Sequence, residues 1–139
     1  MFCLDTCICI DFLRGRTPEF YDLLQRTDPQ LVLVPSVVAA ELLVGAEKSS
    51  DPLRARNEVE RLLLPFKKVP FDESCAYHYG KLRADLERRG CVIGGNDMMI
   101  AATALANNAT LVTNNVREFK RIPGFSLEAW ALLELDAEE

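Results

Sequence analysis

Three carboxylates stand where a protein core would prefer none. Asp5 closes the apolar run "FCLD", Glu41 sits inside "SVVAAELLVGAEK", and Asp97 opens the small-residue run "NDMMIAATALANN". On a helix Glu41 shares a face with Val37 and Val38, and its neighbours Ala39, Ala40, Leu42, Leu43 and Val44 leave no polar side, the pattern of a buried helix. A lone carboxylate there costs free energy unless it is paired or binds a metal, and no basic residue occurs locally to pair with it. Asp5 alone serves equally well as a turn or cap residue, although Thr6 could take the cap and leave Asp5 free. Asn96 is as good a cap as aspartate, so Asp97 is not required for that purpose, while an acid in a first turn gains from the helix dipole in any case. Gathered together, the three acids would repel one another and their pKa values would rise unless a cation were present. Hard divalent ions prefer oxygen ligands, and Mg²⁺ binds through a few carboxylates plus substrate phosphate. The constellation therefore points to Mg²⁺ or Mn²⁺ and, with no serine or cysteine triad, to metal-assisted hydrolysis of a phosphodiester.

The elements needed to bring these acids together are legible along the chain. "FCLD" reads as a short buried strand, followed by a helix that Thr6 can cap and that runs to about Leu13. A helix from about Pro18 to Arg26 leads to "LVLV" (Leu31 to Val34), a β-branched run typical of a strand covered on both faces. Pro35 and Ser36 open the Glu41 helix, "DPLRARNEVERLLLPF" reads as an amphipathic helix, and "KKVP" as a brief strand. "DESCAYHYGKLRADLERRG" is a long helix with acids in its first turn and arginines in its last, ended by Gly90. The Asp97 helix then runs into the strand "TLVT" (Thr110 to Thr113) and the polar turn Asn114-Asn115. Strand and helix alternate as in a βαβ fold, so the expectation is an α/β domain spanning 1–139 with a mostly parallel sheet. In such sheets ligands bind beyond the carboxyl ends of the strands, where Asp5 and Asn114-Asn115 are expected.

Composition narrows the class. The chain has 139 residues, 49% hydrophobic and 27% charged, ordinary for a globular protein of one domain. No run approaches the length of a membrane span, and "MFCLDTCICIDFLRG" lacks a basic leader, so no membrane role and a cytoplasmic location are expected. Five cysteines and one histidine, His78, form neither a disulfide framework nor a zinc set, and Cys3 and Cys9 read as small core hydrophobes. His78 reads as structural. The formal charge of −5 argues against a large basic surface; without the tail "ELDAEE" the balance is 17 acids against 16 basic residues. Arg117, Lys120 and Arg121 could hold a phosphate, although each reads equally as a solvated surface charge.

The motifs resemble the PIN-domain family, and more closely the VapC-type toxins of bacterial toxin–antitoxin pairs. "LDTCICIDFLRG" looks like the family's opening strand with its Asp-Thr, and "PSVVAAELLVGAEKS" like its Ser-plus-Glu helix. "GGNDMMIAATALANNATLVTNNVREFKRIPG" looks like its acidic helix, final turn and Glu-Phe segment, and "LEAW" like its usual end. The resemblance implies a PIN-like three-layer sandwich, with a central sheet of about four to five strands flanked by helices. It implies an Mg²⁺- or Mn²⁺-dependent endoribonuclease that cuts structured RNA and arrests translation, forms a homodimer and is silenced by a cognate antitoxin. By position, Asp5, Glu41 and Asp97 are its metal-binding acids, with Thr6, Ser36 and Thr113 in supporting hydrogen bonds. The fourth catalytic position, often aspartate, falls at Asn115, which would orient a water rather than add charge. Glu118 could supply the missing acid if the turn folds back; otherwise it is an exposed acid. Cys7, often polar in the family, and Gly95, often proline, are further departures.

Two other enzyme or signalling readings fail on residue positions. An aspartyl phosphatase wants a second acid two residues after the first, where Cys7 stands, and a receiver-like domain wants an Asp after a middle strand and a Lys after a late one. A catalytically weak or inactive PIN-like module that binds RNA or a partner is the alternative that Asn115 leaves open.

Overall fold

A three-residue apolar run covered on both sides belongs at the centre of a sheet, and β1 (Phe2–Leu4) is there. In the computed structural model, which describes residues 1–16 and 18–129, β1 pairs with β2 (Val32–Pro35) on one flank and β4 (Thr110–Val112) on the other. Outside them lie β3 (Lys67–Val69) and β5 (Leu127–Glu128), giving the order β3-β2-β1-β4-β5 with every pairing parallel. Trp130 and the acidic tail, both singled out in the sequence, lie outside the described residues.

Parallel neighbours need crossovers, and the helices supply them. α1 (Thr6–Leu13) and α2 (Pro18–Arg26) join β1 to β2; α3 (Ser36–Glu47) and α4 (Pro52–Leu63) join β2 to β3. α5 (Glu73–Arg88) and α6 (Gly95–Ala106) carry the chain back across the sheet to β4, and the single turn α7 (Val116–Phe119) precedes β5. The result is a three-layer α/β sandwich. β1 and β4 are adjacent strands whose connections leave in opposite senses, so the crevice at their carboxyl ends is a topological switch point.

The expected strands and helices form close to their expected bounds, apart from Leu31, which closes a 3-10 turn, and β5, where the sequence pattern assigns no strand. All four residues of β2 are buried, as a doubly covered strand requires. Cys3 and Cys9 are core residues. Gly90, with φ of +66°, ends α5 in the left-handed region that favours glycine. Ala101, Ala102 and Ala104 are fully buried, and their small side chains let α5 pack along α6.

The expectation of a fully buried α3 is corrected. Val38, Leu42 and Ala46 face the core at i, i+4 and i+8, whereas Leu43 is 37% and Val44 53% exposed on the other side. A helix apolar all round need not be buried all round, and Glu41 is half-buried at the boundary between the two faces.

Candidate functional site

The parallel register builds the site. Cys3 stands opposite Leu111 and Leu4 opposite Val112, so the next residues on each strand, Asp5 and Thr113, emerge side by side at the crevice. The Asp5 N–H donates to the Val112 carbonyl at 3.0 Å, which continues the ladder by one bond. Asp5 is buried, only 3% exposed, and both oxygens of its carboxylate accept hydrogen bonds. Oδ1 accepts from the Thr6 N–H at 2.8 Å; Oδ2 accepts from the Thr113 hydroxyl at 2.6 Å and from the Cys7 thiol at 3.1 Å. Asp5, and not Thr6, is therefore the cap of α1. The Thr6 hydroxyl instead donates to Glu41 Oε1 at 2.8 Å, linking the start of α1 to the middle of α3 across 35 residues of sequence.

The cap of α6 also differs from the sequence reading. Gly94 occupies that position without a side-chain bond, and Asn96 is an exposed residue of the first turn. Asp97 is half-buried and bends back toward Gly94, where a Cβ would lie 3.1 Å from its Oδ2. A glycine there leaves room for the carboxylate. At Gly95 a Cβ would meet nothing within 4 Å, so the departure from proline leaves the local shape open.

Asp97 carries the electrostatic signature of the site. Burial first, then the charge of Asp5, a hydrogen bond and charge from Glu118, and the charge of Glu41 push its pKa up to about 7. Like charge crowded into a half-buried space disfavours ionisation of Asp97. Asn115 completes the cluster: its N–H donates to Thr113 Oγ1 at 2.9 Å and its Nδ2 to Glu118 Oε2 at 3.0 Å. The turn does fold back, and Glu118 is brought to Asp97. Asn114 Nδ2 donates to Asp11 Oδ2 at 2.7 Å and ties the same turn to α1.

Asp5, Thr6, Glu41, Asp97, Thr113, Asn115 and Glu118 thus form one connected group. Ser36 does not join it; its hydroxyl donates to the Val69 carbonyl at 3.1 Å and ties α3 to β3. Arg121 Nη1 donates to the Val92 carbonyl at 3.2 Å, and its own carbonyl accepts from Arg89 at 2.7 Å, a structural brace on the loop before α6. Cys7 was read in the sequence only as a departure, yet its thiol touches both Asp5 and Thr113. Its pKa is raised to about 11 by burial and by the Asp5 charge, so it stays a protonated donor at neutral pH. Its position two residues after Asp5, on the same turn, is the signal that could have found it.

The donor set suits a hard cation: carboxylate oxygens from four segments, with hydroxyls and an amide holding them. Among the described residues no three acidic, cysteine or histidine side chains are already drawn to ligation distance of one point. A cation would have to draw these carboxylates closer around itself. Also among the described residues, no helix is long and apolar enough to cross a membrane.

Comparison with known proteins agrees with this geometry. The PIN domain profile matches residues 2–124. The chain is 38% identical to Ribonuclease VapC2 of Rickettsia felis, covering 94% of this chain and 98% of the relative. It is 37% identical to the tRNA(fMet)-specific endonuclease VapC of Salmonella typhimurium, covering 93% and 97%. Among solved structures it resembles VapBC2 of Rickettsia felis bound to a DNA fragment from its promoter, with a TM-score of 0.87, 38% identity and coverage of 91% and 96%. DNA-bound VapBC of Salmonella typhimurium gives a TM-score of 0.88 at 36% identity, with coverage of 93% and 97%. PIN-domain ribonucleases are generally dependent on divalent metal. This chain belongs to the PIN-domain family, among its VapC-type members.

Proposed function

We propose that the chain is an endoribonuclease toxin that hydrolyses phosphodiester bonds in structured RNA with Mg²⁺ or Mn²⁺, and that a cognate antitoxin silences it. Asp5, Glu41 and Asp97 are the metal-binding acids, Glu118 supplies the fourth carboxylate, and Asn115 positions Glu118 and the reacting water. The supporting observation is that acids from four separate segments, Asp5, Glu41, Asp97 and Glu118, gather at the switch point, where burial and their mutual charge raise the pKa of Asp97. The similarity to VapC ribonucleases supports ribonuclease activity, and the solved VapBC structures support an antitoxin partner. A homodimer is the assembly expected of such a toxin.

Each residue has a task. Thr113 and Thr6 fix Asp5 and Glu41 in single orientations through short hydrogen bonds. Asn115 donates to Glu118 through Nδ2, which leaves its side-chain carbonyl as an acceptor for water. When bound, a divalent cation supplies the Lewis acidity that lowers the pKa of a water and offsets charge on the phosphate. Asp97 is favoured in its ionised form beside a bound cation, and would then orient that water.

The test is cleavage of the initiator tRNA named for the Salmonella relative, and of bulk RNA, by the purified chain. Cleavage should require Mg²⁺ or Mn²⁺, stop with chelator and vanish in a folded Asp5→Asn variant. Cleavage that persists in chelator sinks the metal mechanism, and tight RNA binding without cleavage in either ion favours the non-catalytic module.

A further inference from the structure

Cys7 lies in the first turn of α1, and the chemistry above gives it no task. A carboxylate offers about four acceptor sites, two on each oxygen. On Asp5 the Thr6 N–H takes one site of Oδ1, while the Thr113 hydroxyl and the Cys7 thiol take both sites of Oδ2. The Thr113 oxygen has one proton, committed to Asp5 at 2.6 Å, and itself accepts from the Asn115 N–H. The thiol must therefore be the donor in its own contacts, and of the two acceptors it touches, Asp5 Oδ2 at 3.1 Å is nearer than Thr113 Oγ1 at 3.4 Å. What remains open on Asp5 is one site on Oδ1.

We propose that Cys7 is a positioning residue, whose thiol shares with Thr113 the task of saturating Asp5 Oδ2, so that Asp5 meets a cation through Oδ1 alone. The inference rests on the reading of Asp5 as a metal ligand. Three donors on two oxygens fix the carboxylate plane, and the entropy of that ordering is already lost before a cation arrives. Without the thiol, Oδ2 regains a lone pair and the carboxylate can rotate. Partners of metal-ligating groups commonly change metal affinity by about 10–100-fold, and a thiol, as a weak donor, belongs near the low end.

The experiment is a Mn²⁺ titration of the full chain followed by electron paramagnetic resonance, with wild type, Cys7→Ala, Cys7→Ser and, as a control away from the site, Cys91→Ser. The expected result is about a tenfold loss of affinity in Cys7→Ala, recovery to near wild type in Cys7→Ser, which restores a donor, and no change in Cys91→Ser. Infrared spectroscopy of the metal-free chain gives an independent reading. The S–H stretch of Cys7, isolated by subtracting the Cys7→Ser spectrum, should lie below that of an unbonded thiol. Equal affinity in Cys7→Ala and wild type, an equal loss in Cys7→Ala and Cys7→Ser, or an unshifted S–H band overturns the role of Cys7 while leaving Asp5 as a ligand. A wild-type chain that binds no Mn²⁺ overturns the metal-site reading itself, and this inference with it.

Discussion

Carboxylates in two parts of this molecule are wired in opposite ways. On α5, Glu87 lies 2.8 Å from the Arg83 guanidinium and Asp85 lies 2.8 Å from that of Arg89, and on α4 Glu58 lies 3.4 Å from Arg54. Each pair is one helical turn apart and open to solvent. In the crevice, Asp5, Glu41, Asp97 and Glu118 meet hydroxyls, an amide, a thiol and one another. The helix pairs follow a local spacing rule and contribute little to stability because water screens them. The crevice joins residues up to 108 positions apart and concentrates like charge in a half-buried space. One arrangement keeps a helix soluble; the other stores repulsion that a proton or a cation relieves.

The sharpest way to break this comparison is to neutralise the acid that feels the repulsion most. Asp97→Asn should lower RNA cleavage by at least about 100-fold, the scale of removing one preorganised charge-stabilising group. The same variant should melt above wild type in metal-free buffer at pH 8. Loss of both activity and apo stability would mean that Asp97 is a structural partner instead of a strained ligand. Thermal melts and a single-turnover cleavage assay decide it.

Thr113→Val should come next. It leaves Asp5 Oδ2 buried with one donor fewer, which should cost about 1–3 kcal/mol in denaturant unfolding. Activity should fall as well, since Thr113 also holds Asn115. A variant as stable as wild type would show that water replaces the hydroxyl.

The pH dependence of the apo protein is a smaller effect with a definite sign. In the folded chain Asp97 holds its proton up to about 7, well above the ordinary aspartate range. The folded state therefore binds more protons between those limits, so this group's contribution is present at low pH and is lost as pH rises through about 7. The Asp97 contribution, taken as wild type minus Asp97→Asn, should become less favourable from pH 5 to pH 8, and Mg²⁺ should raise the melting temperature more at pH 8 than at pH 6. An Mg²⁺ shift that does not depend on pH would count against proton displacement. The smallest effect belongs to the other region: Arg83→Ala should leave the melting temperature and cleavage close to wild type. A large loss of either would show that the α5 pairs are not merely surface wiring.

Much of this was readable from residue types. The βαβ rhythm, the doubly covered β2, the glycine stop at Gly90 and the positions of Asp5 and Asn115 after their strands all follow from local patterns. Local patterns also misled. Asn96 is a good cap by type, yet Gly94 holds that position without a side-chain bond, and of the two candidates at α1 it is Asp5 that caps, while the Thr6 hydroxyl reaches Glu41. The apolar sequence around Glu41 predicts a buried helix, yet α3 is exposed on one side, because an apolar helix is covered only where the rest of the fold reaches it.

The sequence by itself determined which segments become strands and helices, since propensity, periodicity and punctuation act over a few residues. It also determined which acids lacked a nearby basic partner. Only the tertiary structure decided that β4 lies beside β1, that Glu118 turns back toward Asp97, and that a thiol reaches Asp5. Those facts depend on strand order and register, and a contact between residue 5 and residue 113 has no local signal to read.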